Sequence, residues 1–249
     1  MRISIAVFLA FLLSCGASIT NERTIKIACA SNMQLAMDSI TVLFNAEYGI
    51  QCEVTSGSSG MLTSQIENGA PYDVFVSANM NYPETIYKNG NGSKPVIYAK
   101  GRLLLVVNKR SNYPSIEAVF NDTEIRRIGI ANNQIAPYGM AANQYLKETG
   151  KLNGLKQRLV VGESVGQVNQ YMTMNAVDAA FTSYSFKVKN GNKFNYFEID
   201  SAYFEPIYQG IMILGHGNKS KADPANRLLT FFTTKKCKDV LNYFGYLTE

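Results

Sequence analysis

The sequence predicts an α/β protein of two lobes. Each lobe is expected to hold a mostly parallel sheet flanked by helices, and a hinge of two chain crossings joins them. Three observations carry this expectation. Strand-like and helix-like stretches alternate from residue 25 to residue 77 as β-α-β-α-β, the pattern of parallel strands joined by crossover helices. Two apolar runs, 103–107 and 207–214, stand where the chain would leave the first lobe and return to it. Several strands run into Ser- and Gly-rich turns that open a helix, which is where ligands sit in open α/β sheets. On this reading residues 24–101 and 207–249 form lobe I, and 102–206 form lobe II.

In chain order, residues 25–30 read as the first strand, with Ser31 and Asn32 as cap residues behind it. Met33, Met37, Ile40, Leu43 and Phe44 then recur at helical spacing. Gly49 is a natural C-terminal stop. Residues 50–54 give the second strand, and a helix follows to Asn68-Gly69. Residues 73–77 give a third, apolar-centred strand. Asp73 stands at its start and reads as structural. After the crossing at 103–107, residues 128–131 form a short strand. Pro137 then suits the first position of a helix carrying Ala142, Tyr145 and Leu146. Gly150 ends that helix. Residues 159–161 form a strand, Ser164 caps the next helix, and 179–182 form a further strand. The strand at 207–214 returns to lobe I, and 228–246 is expected to be helical.

Composition narrows the function. A chain of 249 residues with 46% hydrophobic content can bury two cores. Its net charge of +5 is modest, and no basic run tracks nucleic acid. Arg2 followed by the apolar run 5–13 reads as an export signal within residues 1–20. Leu12-Leu13-Ser14-Cys15 resembles a bacterial lipobox, which would anchor the chain to lipid through Cys15; ordinary cleavage near Ala17 is the other reading. On either reading the chain is exported to the periplasm or cell envelope. Cys15, Cys29, Cys52 and Cys237 lack metal-ligand spacing, and beyond Cys15 free, buried thiols are expected. His216 is the only histidine, which argues against histidine zinc clusters and a Ser-His-Asp triad.

The turn Thr55-Ser56-Gly57-Ser58-Ser59-Gly60 carries the chemistry. Its glycines let backbone approach a ligand. The helix that follows starts with N–H groups lacking internal partners and with partial positive charge. Those are the parts of an oxyanion site. A plain serine helix cap is the alternative reading of this stretch taken alone.

Together with that turn, further blocks give a resemblance over essentially the whole chain after its first 20 residues. They are Ala30-Ser31-Asn32, the run from Glu67 through Asp73 to Ala78, Pro137-Tyr138-Gly139, Glu163-Ser164-Val165 and Tyr243-Phe244-Gly245-Tyr246. The chain resembles the molybdate-binding proteins, the extracytoplasmic receptors of molybdate ABC transporters. That resemblance implies a type II periplasmic-binding-protein-like fold with molybdate, and tungstate, held in the interlobe cleft. It implies a membrane permease with its ATPase as partner, a monomeric receptor, no catalysis and no cofactor.

Carried over by position, Ser31 and Ser59 would donate through hydroxyl and backbone N–H, and Tyr138 and Val165 through backbone N–H. Many members place a ligand-binding Tyr directly after the strand that corresponds to 179–182. Here Ser183 stands there with Tyr184 behind it. The resemblance to a variant form assigns the missing donor to Asn32 and Tyr138 instead. Ser58, Ser183 and Tyr184 remain further candidates. Asn32 as a plain cap and Tyr138 as a ring stacked in the cleft stay open beside these roles. Two competing functions follow from the same residues: a receptor for another tetrahedral oxyanion such as sulfate, and an exported enzyme on this fold. The turns hold no histidine, base carboxylate or metal cluster for the second.

Overall fold

The computed structural model describes residues 24–108, 112–215 and 222–248. The expected export signal with Cys15, and His216, lie outside them. The chain begins with β1 (Ile25–Ala30), a 3-10 turn (Ser31–Met33) and α1 (Gln34–Tyr48). Then come β2 (Cys52–Gly57), α2 (Ser59–Glu67), β3 (Val74–Ser77), α3 (Asn81–Lys88) and β4 (Val96–Lys100). The second lobe holds β5 (Leu103–Asn108), α4 (Ile116–Asn121), β6 (Ile128–Ala131), α5 (Pro137–Glu148) and α6 (Leu152–Leu155). It continues with β7 (Leu159–Gly162), α7 (Val165–Thr173), β8 (Ala179–Ser183), α8 (Tyr184–Asn190) and β9 (Phe194–Glu198). The chain returns through β10 (Tyr208–Ile213) to α9 (Ala222–Phe231) and α10 (Lys235–Tyr243).

The two sheets share one design. One runs β2-β1-β3-β10-β4 and the other β7-β6-β8-β5-β9. In the first, β1 pairs parallel with β2 and β3, while β10 is antiparallel to β3 and β4. In the second, β6 is parallel to β7 and β8, while β5 is antiparallel to β8 and β9. One strand is therefore reversed in each sheet, and in both it is the strand that has just crossed the hinge. A chain arriving from the hinge enters at the end where the other strands finish, so it runs against them.

Local sequence explains the elements that aim the site. Leu62 and Ile66, one turn apart on α2, are both fully buried, each contributing roughly 1.5–3 kcal/mol. Gly49 ends α1 at φ +66° with its N–H on the Asn45 carbonyl. Pro137 opens α5. Three departures from the sequence reading have physical causes. Ser31 and Asn32 are not cap residues: the chain tightens into the 3-10 turn behind Ala30, and no side chain caps it. The second strand runs on through Thr55, Ser56 and Gly57, because β1 offers partners as far as Ala30. The C-terminal region is two helices, with Thr234 capping the second through the Cys237 N–H, and Tyr246 lies beyond both.

Cys29 and Cys237 are buried free thiols, and Cys52 is a partly buried one. Among the described residues, no helix is long and apolar enough to cross a membrane.

Candidate functional site

The carboxyl ends of the two sheets face each other, and one small cavity lies between them. Ser31, Asn32, Ser58 and Ser59 reach it from lobe I, and Tyr138 and Val165 from lobe II. Four helical starts therefore meet there: the 3-10 turn, α2, α5 and α7. Among the described residues, no carboxylate, lysine or arginine lines the cavity. Ser59, Ser58, Asn32, Tyr138 and Val165 are each buried, and Ser31 is partly buried.

The hydrogen bonds around each helix start show which donors remain. On α7 the Gly166 N–H goes to Ser31 Oγ (3.0 Å) and the Gln167 N–H to Ser164 Oγ (3.2 Å), which is the expected cap. The Val165 N–H is left without a partner among the described residues. On α2 the Gly60 N–H reaches the Ile135 carbonyl (2.9 Å) and the Met61 N–H the Ser58 hydroxyl (3.4 Å). That leaves the Ser59 N–H. On α5 the Tyr138 N–H falls in the first turn, where no helical acceptor exists.

The two serine hydroxyls are held with their protons outward. Ser59 Oγ accepts the Ala78 N–H (3.0 Å), and Ser31 Oγ accepts the Gly166 N–H. A hydroxyl that already accepts keeps its own proton to give. Each serine thus has a hydroxyl proton left to give, and its own amide stands beside it at a helix start.

The cleft is closed in this structure. Among the described residues four hydrogen bonds span it: Gly166 N–H to Ser31 Oγ, Gly60 N–H to the Ile135 carbonyl, Tyr82 hydroxyl to the Gln134 carbonyl (3.1 Å), and Ser185 hydroxyl to the Asn32 carbonyl (3.0 Å). Gly166 sits tight in that closure, since a Cβ there would stand 3.0 Å from Ser31 Cβ.

Asn32 lines the cavity, but both protons of its side-chain amide are used elsewhere. Nδ2 donates to Gln209 Oε1 (2.8 Å) and to the Tyr246 hydroxyl (3.0 Å). What Asn32 offers the cavity is its backbone N–H, which has no partner inside the 3-10 turn. Tyr138 likewise brings its amide, not its hydroxyl. The phenol runs to the hinge, where a Cβ on Gly101 would lie 2.2 Å from its oxygen. There it is buried and makes no hydrogen bond of good geometry, and burial pushes its pKa well above the usual phenol range.

Ser183 and Tyr184 are not brought to the cavity. Ser183 Oγ pairs with Ser185 Oγ (2.8 Å). Tyr184 lies under the Arg102 guanidinium, 4.0 Å from its ring centroid, and against Gly245. The pairing of β8 with β5 explains this. Leu103 faces Ser183, and the Tyr184 N–H bonds the Arg102 carbonyl, so the chain after β8 is drawn to the first crossing.

Sequence reasoning missed the residues behind the cavity. Gln209 is fully buried in β10 and was the signal available: one amide inside an otherwise apolar run. Tyr82 and Ser185 carried no signal of their own.

The fold and this cavity define a two-lobed receptor for a small anion. The chain belongs to the bacterial extracellular solute-binding proteins, whose family model matches residues 25–247. It is 31% identical over 240 residues to the molybdate-binding protein ModA of Azotobacter vinelandii, covering 94% of this chain and 93% of that one. The Rhodobacter capsulatus molybdate-binding protein ModA is 28% identical, over 89% and 87% of the two chains. The solved structure of the Azotobacter vinelandii periplasmic molybdate-binding protein superimposes with a TM-score of 0.84 at 28% identity, covering 90% of this chain and 99% of that one.

Proposed function

We propose that this protein is an extracytoplasmic receptor that binds molybdate, and tungstate, in the interlobe cavity. It delivers the anion to the membrane permease of an ABC transporter and its ATPase. The observation that carries this is the meeting of four helical N-termini on one neutral, hydroxyl-lined cavity. Molybdate is a tetrahedral dianion with four acceptor oxygens and, at neutral pH, no proton to give. A cavity of donors without a carboxylate matches it. Helix dipoles supply the positive potential with no buried cation to desolvate. The donor set is the hydroxyl and N–H of Ser31 and Ser59 with the N–H groups of Asn32, Tyr138 and Val165.

Ser58 acts as the cap of α2, and Ser183 and Tyr184 take no part in binding. Phosphate would want a carboxylate acceptor for its proton, and none lines the cavity. Sulfate shares the charge and shape, so size is left to separate it. The chain acts as a monomer and not as an enzyme, with no cofactor and no nucleic-acid partner. It is exported from the cytoplasm, and Cys15 is the candidate lipid anchor. The lobes divide as 24–101 with 207–249, and 102–206.

A ceiling of about −1.5 kcal/mol per heavy atom gives roughly −7.5 kcal/mol for a five-atom anion, near micromolar. The test is a thermal-shift series with molybdate, tungstate, sulfate and phosphate. At 100-fold excess over Kd a bound anion adds about 2.7 kcal/mol of stability. The expected result is a clear shift with the two metal oxyanions and a far smaller one with the others. A shift with sulfate alone would overturn the molybdate reading.

A further inference from the structure

We propose that Tyr246 and Gln209 are positioning residues of the anion site: they hold the Ser31–Asn32 turn from behind without touching the anion. This rests on the reading that the anion occupies the interlobe cavity. The contact between Tyr246 and Asn32 is reciprocal. The Tyr246 hydroxyl accepts from Asn32 Nδ2 (3.0 Å) and gives its own proton to the Asn32 carbonyl (2.8 Å). Gln209 Oε1 takes the other Nδ2 proton (2.8 Å). Gln209 Nε2 then donates to the Ala78 carbonyl (3.3 Å) and the Ile207 carbonyl (3.0 Å). Ala78 is the residue whose N–H orients Ser59. One buried network therefore runs from the first donor turn, through the second crossing, to the second serine.

All three side chains are buried. A buried amide left unpaired is costly, so a satisfied network has one strongly preferred geometry. The 3-10 turn has no side-chain cap of its own. Its orientation is thus set from strand β10 and from the C-terminal turn. Donors to a small anion must be held to within about 0.5 Å, and a three-residue turn cannot hold itself that well. Burial also keeps the Tyr246 phenol protonated far above neutral pH, so the carbonyl contact persists.

The test is a calorimetric titration of four proteins: wild type, Tyr246→Phe, Asn32→Ala, and the double variant. Each is titrated with molybdate, tungstate, sulfate and phosphate. Tyr246→Phe keeps the ring in the core and removes only the hydroxyl. It is expected to weaken anion binding about tenfold in the wild type and about threefold in the Asn32→Ala background, where the bond to the residue-32 carbonyl remains and the bond from the side-chain amide is gone. That non-additivity is what a merely structural role would not produce. Tyr98→Phe is the control, because Tyr98 is another buried phenol in lobe I whose hydroxyl makes no hydrogen bond; it should leave affinity unchanged. Wild-type affinity retained in Tyr246→Phe would overturn the proposal and leave the anion reading standing. Equal losses in the two backgrounds would overturn the coupling of Tyr246 to the turn through the Asn32 side chain. No binding of any of the four anions by the wild type would overturn the anion reading and this proposal with it.

Discussion

Gly166→Ala separates lobe stability from ligand capture, because the structure gives the two effects opposite signs. Gly166 is the second residue of α7, and its backbone needs no left-handed conformation. Alanine there favours the helix by up to about 1 kcal/mol. The added methyl, however, would stand 3.0 Å from Ser31 Cβ across the cleft. Carbon atoms settle at about 3.5–4.0 Å, so the lobes must part locally by roughly half an ångström or more, or Ser31 must turn. Either response strains the Gly166 N–H bond that aims the Ser31 hydroxyl. Overpacking of this kind costs about 1–3 kcal/mol, or about 5- to 150-fold in affinity. The ligand-free protein can relieve the clash by opening, so its melting temperature should hold or rise while its molybdate affinity falls. Gly154→Ala is the matched control: a Cβ there meets nothing within 4 Å. Calorimetric titration with thermal melts of the free proteins reads both effects. An affinity within twofold of wild type would refute the closed-cleft geometry as the binding state.

Three further outcomes follow. Ser59→Ala should cost about 1–3 kcal/mol of anion binding, while Ser183→Ala, which reaches the cleft only through Ser185, should cost clearly less; a loss as large as that of Ser59→Ala would place Ser183 in the site. In thiol labelling, Cys29 and Cys237 should react only on unfolding, since burial pushes the Cys237 thiol up to about 12 and Cys29 higher still. Cys52, raised to about 11 by burial, should label slowly and about tenfold faster per pH unit below that value, and a rate that levels off near pH 9 would count against a buried thiol. Stability should be insensitive to the buried phenols below pH ~10 and fall above it. Burial raises Tyr98, Tyr138 and Tyr246 in the folded state, so the unfolded chain ionises first. Melts between pH 8 and pH 11 check this, and a Tyr-dependent loss beginning near pH 8 would refute it.

The turns that line the cavity were legible in the sequence because a helix start has a local signature. Ser58 and Ser59 after a strand, Pro137 at a first helical position, and Ser164 before Val165 each announce a helix N-terminus within a few residues. Much of the order of strands and helices followed from the same punctuation, but β4, β9 and α3 were not read from it. Strand direction at the hinge is a matter of arrival, which an apolar run does not record. The reversed setting of β5 and β10 therefore came only with the pairing.

What the sequence could not express is the use to which a polar side chain is put once it is buried. Asn32 and Ser183 are alike on paper: each is a polar residue at the junction of a strand and a helical turn. Their fates are decided by partners far along the chain. Gln209 and Tyr246, which take the Asn32 protons, stand 177 and 214 residues away. Ser183 is held by the first crossing strand, against Leu103. Asn32 thus stays in the cavity with its side chain turned away, and Ser183 leaves it. An amide with two protons has two bonds to give, and here both are spent inside the protein. The donation assigned to Asn32 must therefore come from its backbone, so Asn32→Ala should weaken binding by loosening the turn and not by removing a donor to the anion.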